Sequence, residues 1–212
     1  MILEKRMGKT FYIADTHFGH KNIINFDNRP FSSTKEMEDV IVKNWNSVVT
    51  NDDDVYILGD FCWDKEDEWI RVLKRLNGNK YLIKGNHDLR QMSQRLKNMF
   101  RDIKDYKEIK DNGRHIILSH YPILFYRGSY GENMWHFHGH THNRTDEEYA
   151  RNDFVWELVD QRRKYVMQFG APSYLNRGHI VNVGCMMECM KYTPRTADEL
   201  IVWWKENYHV SD

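Results

Sequence analysis

The chain has 212 residues, of which 41% are hydrophobic and 14% aromatic, so it is long enough to bury one large core and to form about one domain. Its 31 basic and 31 acidic side chains cancel, so no overall electrostatic field attracts nucleic acid or an anionic membrane. No apolar run approaches the ~20 residues of a membrane span, and the amino terminus lacks an apolar leader. We therefore expect a cytoplasmic protein, in which the three cysteines are thiols: Cys62, Cys185 and Cys189.

Three apolar runs in the first half of the chain are predicted strands that end in polar side chains. These runs are Thr10 to Ala14, Asp54 to Leu58 and Tyr81 to Ile83. The second run does not alternate with polar residues, which is typical of a strand covered on both faces. The polar residues that follow the three runs are Asp15 and His17, then Asp60, and then Asn86, His87 and Asp88.

Helical patterns lie between these strands. The spacing of apolar residues predicts helices from about 35 to 49, 65 to 76 and 91 to 100. Ser33 or Thr34 is the predicted cap of the first. The alternation of strands and helices favours an α/β fold.

The second half of the chain carries histidines at its predicted strand ends. Asn112 and Gly113 predict a hairpin turn, and the strand that follows it ends at His120, before a proline. Four more histidines lie between Met134 and His142. Alternation places His136 and His138 on a strand, where we expect hydrogen-bonded structural roles, whereas His140 and His142 follow Gly139 in a loop.

The carboxyl-terminal region completes the predicted fold. Residues 179 to 184 are the last core strand, and a helix capped by Thr196 follows. Residues 143–177 are interpreted as a helix and loop inserted beside the site rather than as a second domain. Cys185 and Cys189 are interpreted as buried thiols rather than zinc ligands, because no second pair accompanies them.

Each polar cluster alone has an ordinary explanation. Asp15 would be a capping residue, His17 a surface histidine, and Asn86 to Asp88 a solvated loop. Five clusters that all follow apolar runs are harder to explain in this way, because the carboxyl ends of strands are where open α/β sheets bind ligands. Carboxylates, imidazoles and an amide without thiolate suit Mn²⁺, Fe or Zn²⁺, with Ni²⁺ or Co²⁺ as alternatives.

In their order along the chain, these clusters resemble the motifs of the calcineurin-like metallophosphoesterases. The motifs of that family are Asp-x-His, Gly-Asp, Gly-Asn-His-Asp, His and Gly-His-x-His. The first eight residues from Asp15 and the sequence Val181-Asn-Val-Gly184 also resemble a bacterial and phage-type branch. The motifs stand here as Asp15-Thr-His17, Gly59-Asp60, Gly85-Asn-His-Asp88, His120 and Gly139-His-Thr-His142.

The resemblance implies a four-layer α/β/β/α sandwich that forms one domain over residues 1–212. It also implies two bound divalent metal ions, for which Mn or Fe is the first expectation. A water between the ions would become a hydroxide that attacks phosphorus in line, and His87 would stabilise or protonate the leaving oxygen. Asp60 would bridge the two ions. One ion would take Asp15, His17, Asp60 and His142, and the other Asp60, Asn86, His120 and His140.

The resemblance leaves the substrate open. Protein serine/threonine phosphatases carry Gly-Asp-x-x-Asp-Arg-Gly, whereas residues 61–64 here are Phe-Cys-Trp-Asp, so a phosphoprotein substrate is disfavoured. We expect a phosphodiester or a small phosphate ester. One alternative is a nuclease acting on DNA or RNA, which the balanced charge disfavours. The other is a non-catalytic protein-binding scaffold, which the complete ligand set disfavours.

Several polar residues outside the motifs are candidate phosphate or substrate contacts. His20, Asn22 and Arg29 lie in the loop after the first cluster, where a loop-stabilising role is an equal alternative. Arg127 and Arg144 are weaker candidates.

Overall fold

The structure is a computed structural model that describes residues 8–123, 126–129, 131–143 and 179–207. Its helices are α1 (Ile23–Phe26), α2 (Thr34–Val48), α3 (Glu66–Leu73), α4 (Gln94–Lys97) and α5 (Ala197–Asn207). Its strands are β1 (Thr10–Ile13), β2 (Asp54–Ile57), β3 (Asn79–Ile83), β4 (Asp102–Lys104), β5 (Tyr106–Asp111), β6 (Arg114–Ser119), β7 (Met134–His138), β8 (Ile180–Asn182) and β9 (Arg195–Thr196).

The strands form two sheets. A five-stranded sheet has the order β4-β3-β2-β1-β9, in which β1 to β4 are parallel and β9 is antiparallel to β1. A four-stranded sheet has the order β5-β6-β7-β8, in which β6, β7 and β8 are parallel. A parallel bridge joins Ala14 to Gly184, just after β1 and β8. The carboxyl ends of both sets of parallel strands therefore meet at one edge of the molecule.

The two sheets pack face to face and share one core with the helices. The ring of Tyr12 on β1 contacts the ring of Phe137 on β7, with the centroids 4.9 Å apart. Trp45 of α2 and Trp69 of α3 are fully buried in the same core. Trp204 of α5 joins this core as well, where it packs edge-on against Trp135, which shares a face of β7 with Phe137. The predicted α/β fold with two packed sheets is confirmed, and it is consistent with the metallophosphoesterase-type sandwich.

The local predictions of strands and turns agree well with the structure. Val55, Tyr56 and Ile57 of β2 are all buried, as expected for a strand covered on both faces. The hairpin turn between β5 and β6 has positive φ at Asn112 and Gly113, as its sequence predicts.

The helix ends agree less well. Ser33 is the cap of α2, since its side chain accepts a hydrogen bond from the Glu36 N–H at 3.1 Å. Helix α3 ends at Leu73 rather than 76, and the helix predicted at 91–100 is the single turn α4. Strands β4 and β9 were not predicted, because they are short and are defined by their pairing with β3 and β1.

Some predictions concern regions that the structure does not reach. The insertion predicted at 143–177 lies outside the described residues except for its first position, so it stays a prediction.

None of the described helices combines the length and the apolar character needed to cross a bilayer. All three cysteines are buried free thiols.

Candidate metal centre

Four predicted ligands converge where the two sheets meet. Asp15 and His17 follow β1, Asp60 follows β2, and His142 follows β7. Each offers one ligand atom, and these atoms all lie within 4.8 Å of one another. The Nε2 atoms of His17 and His142 face each other at 3.3 Å. This is the set predicted to hold the first metal ion.

The backbone at these positions is held in an unusual conformation. Asp15, His17, Asp60, His140 and His142 all have φ between 48° and 70°, in the left-handed region that side chains other than glycine rarely adopt. Such conformations cost about 1–3 kcal/mol each and persist where the surrounding structure enforces them, most often at functional sites. The strain is thus concentrated on the predicted ligands.

Two motif glycines allow the loops to approach the carboxylates closely. A Cβ atom added to Gly139 would lie 2.5 Å from Asp15 Oδ2 and 2.6 Å from Ala14 Cβ. A Cβ atom added to Gly85 would overlap with the carboxylate of Asp60. Glycine is required at both positions because any side chain would push the neighbouring carboxylate out of the site.

The second predicted set lies next to the first. His120 Nε2 is 3.0 Å from Asn86 Oδ1 and 3.5 Å from Asp60 Oδ2. The His120 Nδ1 atom is bound to the Leu58 carbonyl oxygen at 2.8 Å, which directs Nε2 into the site. The ring of His140 is 5.1 Å from that of His120. The structure therefore brings Asn86, His120 and Asp60 together, with the ring of His140 beside them.

Asp60 lies between the two sets. Its Oδ2 atom is 3.6 Å from His17 Nε2 and 3.5 Å from His120 Nε2, so one oxygen faces a histidine of each set. Its Oδ1 atom accepts a hydrogen bond from the His87 backbone N–H at 3.0 Å, which fixes the carboxylate plane. This is the geometry that a bridging carboxylate needs.

The charges in the centre fit divalent cations. Asp15 and Asp60 are both at most 2% exposed, and no lysine or arginine of the described residues forms an ion pair with either carboxylate. Burying carboxylates without a cationic partner is costly. Burial raises the pKa of Asp15, and His142 and His120 offset part of that rise. A dication would compensate the same charges.

The pKa values of His17 and His142 are shifted in opposite directions. Burial lowers the pKa of His17 well below its usual value, and the neighbouring His142 and Arg29 lower it further. Burial also acts to lower the pKa of His142, but the hydrogen bond and charge of Asp27 and the charge of Asp15 outweigh it and raise the pKa. A metal ion would displace the proton from His142, because it needs the neutral imidazole.

Asp27 contacts a proposed ligand, and the sequence did not single it out. Its carboxylate binds His142 Nδ1 at 2.9 Å, which leaves Nε2 of that ring facing the other ligands. Carboxylates that orient a ligating histidine in this way are common around metal sites. The only sequence signal was its place in a polar loop, because its partner lies 115 residues further along the chain.

Arg29 is buried behind the centre, where it hydrogen-bonds to the residues that support it. Its guanidinium is fully buried, donates to the Asp27 carboxylate at 2.8 and 3.0 Å, and donates to the backbone carbonyls of Asp15 and Thr16 at 2.9 and 3.1 Å. A guanidinium without exposed surface is unable to touch substrate. The structure favours the loop-stabilising alternative for Arg29 over the substrate contact.

The other candidate contacts differ in position. His20 stacks on Trp63 beside the centre, and its buried Nδ1 atom has no hydrogen-bond partner in the described part of the chain. Asn22 is exposed at the start of α1. Arg127 lines a hollow with the residues that begin β6 and β7, at the end opposite the centre, so it is excluded as a contact. Arg144 lies outside the described residues.

His87 and Asp88 play different parts. His87 is exposed at the mouth of the centre, with its ring 6.1 Å from that of His17. Asp88 is 6% exposed and accepts hydrogen bonds from the backbone N–H groups of Asp60, Phe61 and Gly85. Burial raises the pKa of Asp88 to about 6. Asp88 therefore ties the loop after β2 to the loop after β3.

Known proteins resemble the chain over both sheets. A family model of the calcineurin-like phosphoesterase superfamily domain matches residues 9–196. An uncharacterised protein of Methanocaldococcus jannaschii is 37% identical over 145 residues, covering 68% of this chain and 74% of its own length. The gene 66 protein of Mycobacterium phage L5 is 29% identical over 164 residues, covering 65% of this chain and 79% of its own. A protein of unknown function from Aquifex aeolicus has a crystal structure with 30% identity, a TM-score of 0.64, and coverage of 92% of this chain and 99% of its own.

Proposed function

Because the chain belongs to the calcineurin-like phosphoesterase superfamily, we propose that it is a divalent-metal-dependent hydrolase of phosphodiesters or small phosphate esters. The observation that supports this most strongly is the position of Asp60 Oδ2 between the histidines of two ligand sets. A centre for a single structural ion would need no shared carboxylate. Two ions sharing one carboxylate are the arrangement that many phosphoryl-transfer enzymes use.

The two proposed ion sites use the residues predicted from the sequence. Asp15, His17, Asp60 and His142 would hold one ion, and Asp60, Asn86, His120 and His140 the other. Bound there, two dications would polarise the phosphate oxygens and supply a hydroxide nucleophile near neutral pH. Oxygen and nitrogen donors without thiolate suit Mn²⁺ or Fe first, with Zn²⁺, Ni²⁺ and Co²⁺ as alternatives.

The residues of the chain itself would position the ester and help the leaving group. His87 is exposed beside the centre, while its backbone N–H is held by Asp60. An imidazole in this place would donate a proton to the departing oxygen, and general acids of this kind typically contribute about 10²–10⁴-fold. We propose His87 as that acid and His20 as a lower-ranked substrate contact.

The proposal is tested by screening purified protein reconstituted with Mn²⁺ or Fe²⁺. The substrates are 4-nitrophenyl phosphate, bis(4-nitrophenyl) phosphate and cyclic nucleotides. We expect hydrolysis of at least one of them, its abolition by a chelator, and its loss in Asp60→Ala. Asp67→Ala, which removes an exposed carboxylate on α3, is the matched control and should behave as wild type. Equal activity in Asp60→Ala and Asp67→Ala would refute the proposal.

A non-catalytic scaffold is the rival function. It predicts no cost from removing Asp60 other than a change of stability. Strained backbone at five predicted ligands argues against it, because a binding surface gains nothing from this strain.

A further inference from the structure

Exposed aromatic side chains surround the mouth of the metal centre. The large apolar side chains most exposed in the described residues are Phe26, Trp63, Tyr106, Tyr121 and Val202. Three of these, Phe26, Trp63 and Tyr121, contact histidines at the centre. Single exposed apolar residues need no explanation, but three around one site do.

Trp63 borders the side of the centre that carries His87. Its ring lies 4.1 Å from that of His20 in a parallel stack and 4.4 Å from that of His87 at a tilt of 48°. Although it packs against both rings, 44% of Trp63 is exposed. The residue therefore presents aromatic surface to solvent next to the proposed general acid.

A groove of about 480 Å³ opens at this position. Its walls include Trp63, Lys65, Asn86, His87 and Leu89. An acid that protonates the leaving oxygen must face it, so the group attached to that oxygen lies on the same side as His87. The groove with the indole and leucine walls is therefore where the leaving group would lie.

Tyr121 borders a different side of the centre. It follows His120, is 50% exposed, and its ring lies 4.5 Å from that of His140 and 5.2 Å from that of His120. Trp63 contacts His17, and Tyr121 contacts histidines of the second ligand set. The two aromatic side chains thus flank the two proposed ion sites.

We propose that Trp63 and Tyr121 bind planar rings on the two sides of the scissile phosphate, so that the substrate is a phosphodiester between nucleosides. This inference rests on the proposed function. A phosphate at the centre would extend one substituent into the Trp63 groove and the other towards Tyr121. Nucleobases provide planar rings beside a phosphodiester, and aromatic side chains bind them by stacking or edge contact without regard to base identity.

The test compares two substrates that differ only in their bases. Dithymidine monophosphate and the same diester with hydrogen in place of both bases have the same leaving oxygen. We expect kcat/KM of the metal-reconstituted wild type to favour the base-bearing diester by about 5–100-fold. Trp63→Ala and Tyr121→Ala should each reduce this preference, and Trp63→Phe should restore most of it. Tyr106→Ala, an exposed aromatic residue on β5, is the matched control and should keep it.

The outcomes separate the inference from the proposed function. If wild type hydrolyses both diesters equally, or if Trp63→Ala slows both by the same factor, the inference is wrong although the chain is a phosphoesterase. If no ester is hydrolysed, binding of fluorescein-labelled dithymidine monophosphate to the Mn²⁺-reconstituted wild type, Trp63→Ala and Tyr121→Ala still tests the aromatic contacts. Unchanged binding in both variants would overturn them.

A second comparison identifies the source of the diester. A short oligothymidylate that binds much more tightly than dithymidine monophosphate would show that the ligand is a single strand of nucleic acid. Equal affinity would show a small dinucleotide-type ligand. In either case Trp63→Ala and Tyr121→Ala should weaken the binding, and unchanged binding in both variants would overturn the proposed contacts.

Discussion

Asp27→Asn tests whether Asp27 supports the metal centre through His142 or binds a metal ion directly. The Asp27 carboxylate is fully buried and serves two partners, His142 Nδ1 at 2.9 Å and the Arg29 guanidinium at 2.8 Å. Asparagine has nearly the same size but no charge. The substitution therefore removes the counter-charge of a buried guanidinium and the anchor of one ligand ring, while the proposed ligands stay unchanged.

Two magnitudes follow from these contacts. A buried ion pair that loses one partner typically costs about 3–5 kcal/mol, because the remaining charge is left uncompensated. The free energy of unfolding should fall by about that amount, reduced to the extent that the asparagine oxygen still accepts from Arg29. Loss of a carboxylate that orients a ligating histidine typically weakens metal binding about 10–100-fold.

Two assays measure these effects independently. Urea unfolding in chelator gives the free energy without metal, and titration of the apoprotein with Mn²⁺ at a temperature where the variant is folded gives the affinity. Asp67→Asn makes the same charge change at an exposed position on α3 and should alter neither quantity appreciably. If Asp27→Asn behaves like Asp67→Asn in both assays, the reasoning is refuted. Complete loss of metal binding would instead make Asp27 a direct ligand.

Three further predictions concern other residues. His87→Ala should keep the metal and lose about 10²–10⁴-fold in rate on an alkyl ester but much less on a 4-nitrophenyl ester, and kinetics with equal losses would contradict the general-acid role. Burial lowers the pKa of His136 to about 4 from 6.5, so the unfolded chain binds the proton first as pH falls. Stability in chelator should therefore drop by about 2 kcal/mol between about pH 7.5 and pH 5 through this residue, and urea unfolding of His136→Gln should lack that part of the drop. Gly139→Ala should weaken Mn²⁺ binding in the same titration because its Cβ would meet Asp15 Oδ2 at 2.5 Å, whereas Gly113→Ala, with no atom within 4 Å of the new Cβ, should bind metal as wild type does.

The convergence of Asp15, His17, Asp60 and His142 was predictable from the sequence, because each of these proposed ligands lies in a loop just after a strand. Asp60 comes after the buried strand β2, and a short loop leaves its side chain at the carboxyl edge of the sheet. His136 and His138 were predicted to be structural, and the structure confirms this, since the former accepts from the Ile123 N–H at 2.9 Å and the latter is bound to the Gly139 carbonyl oxygen. Local sequence and periodicity are sufficient for such residues.

The supporting residues were not predictable in the same way. Asp27 and Arg29 acquire their roles from contacts with His142 and with the Asp15 backbone, which lie far along the chain or in a turn whose shape the sequence does not show. Trp63 looks like an ordinary core residue until the fold places it between two histidines at an open mouth. Long-range packing decides the role of each of these residues.

The central claim is that Asp60 joins two metal ions. Crystals soaked with Mn²⁺ and measured for anomalous scattering test it directly. We expect two peaks about 3.5–4 Å apart, one beside His17 and one beside His120, with Asp60 Oδ2 between them, and neither peak at full height in Asp60→Ala. A single peak in wild type, or two full peaks in Asp60→Ala, would contradict the claim.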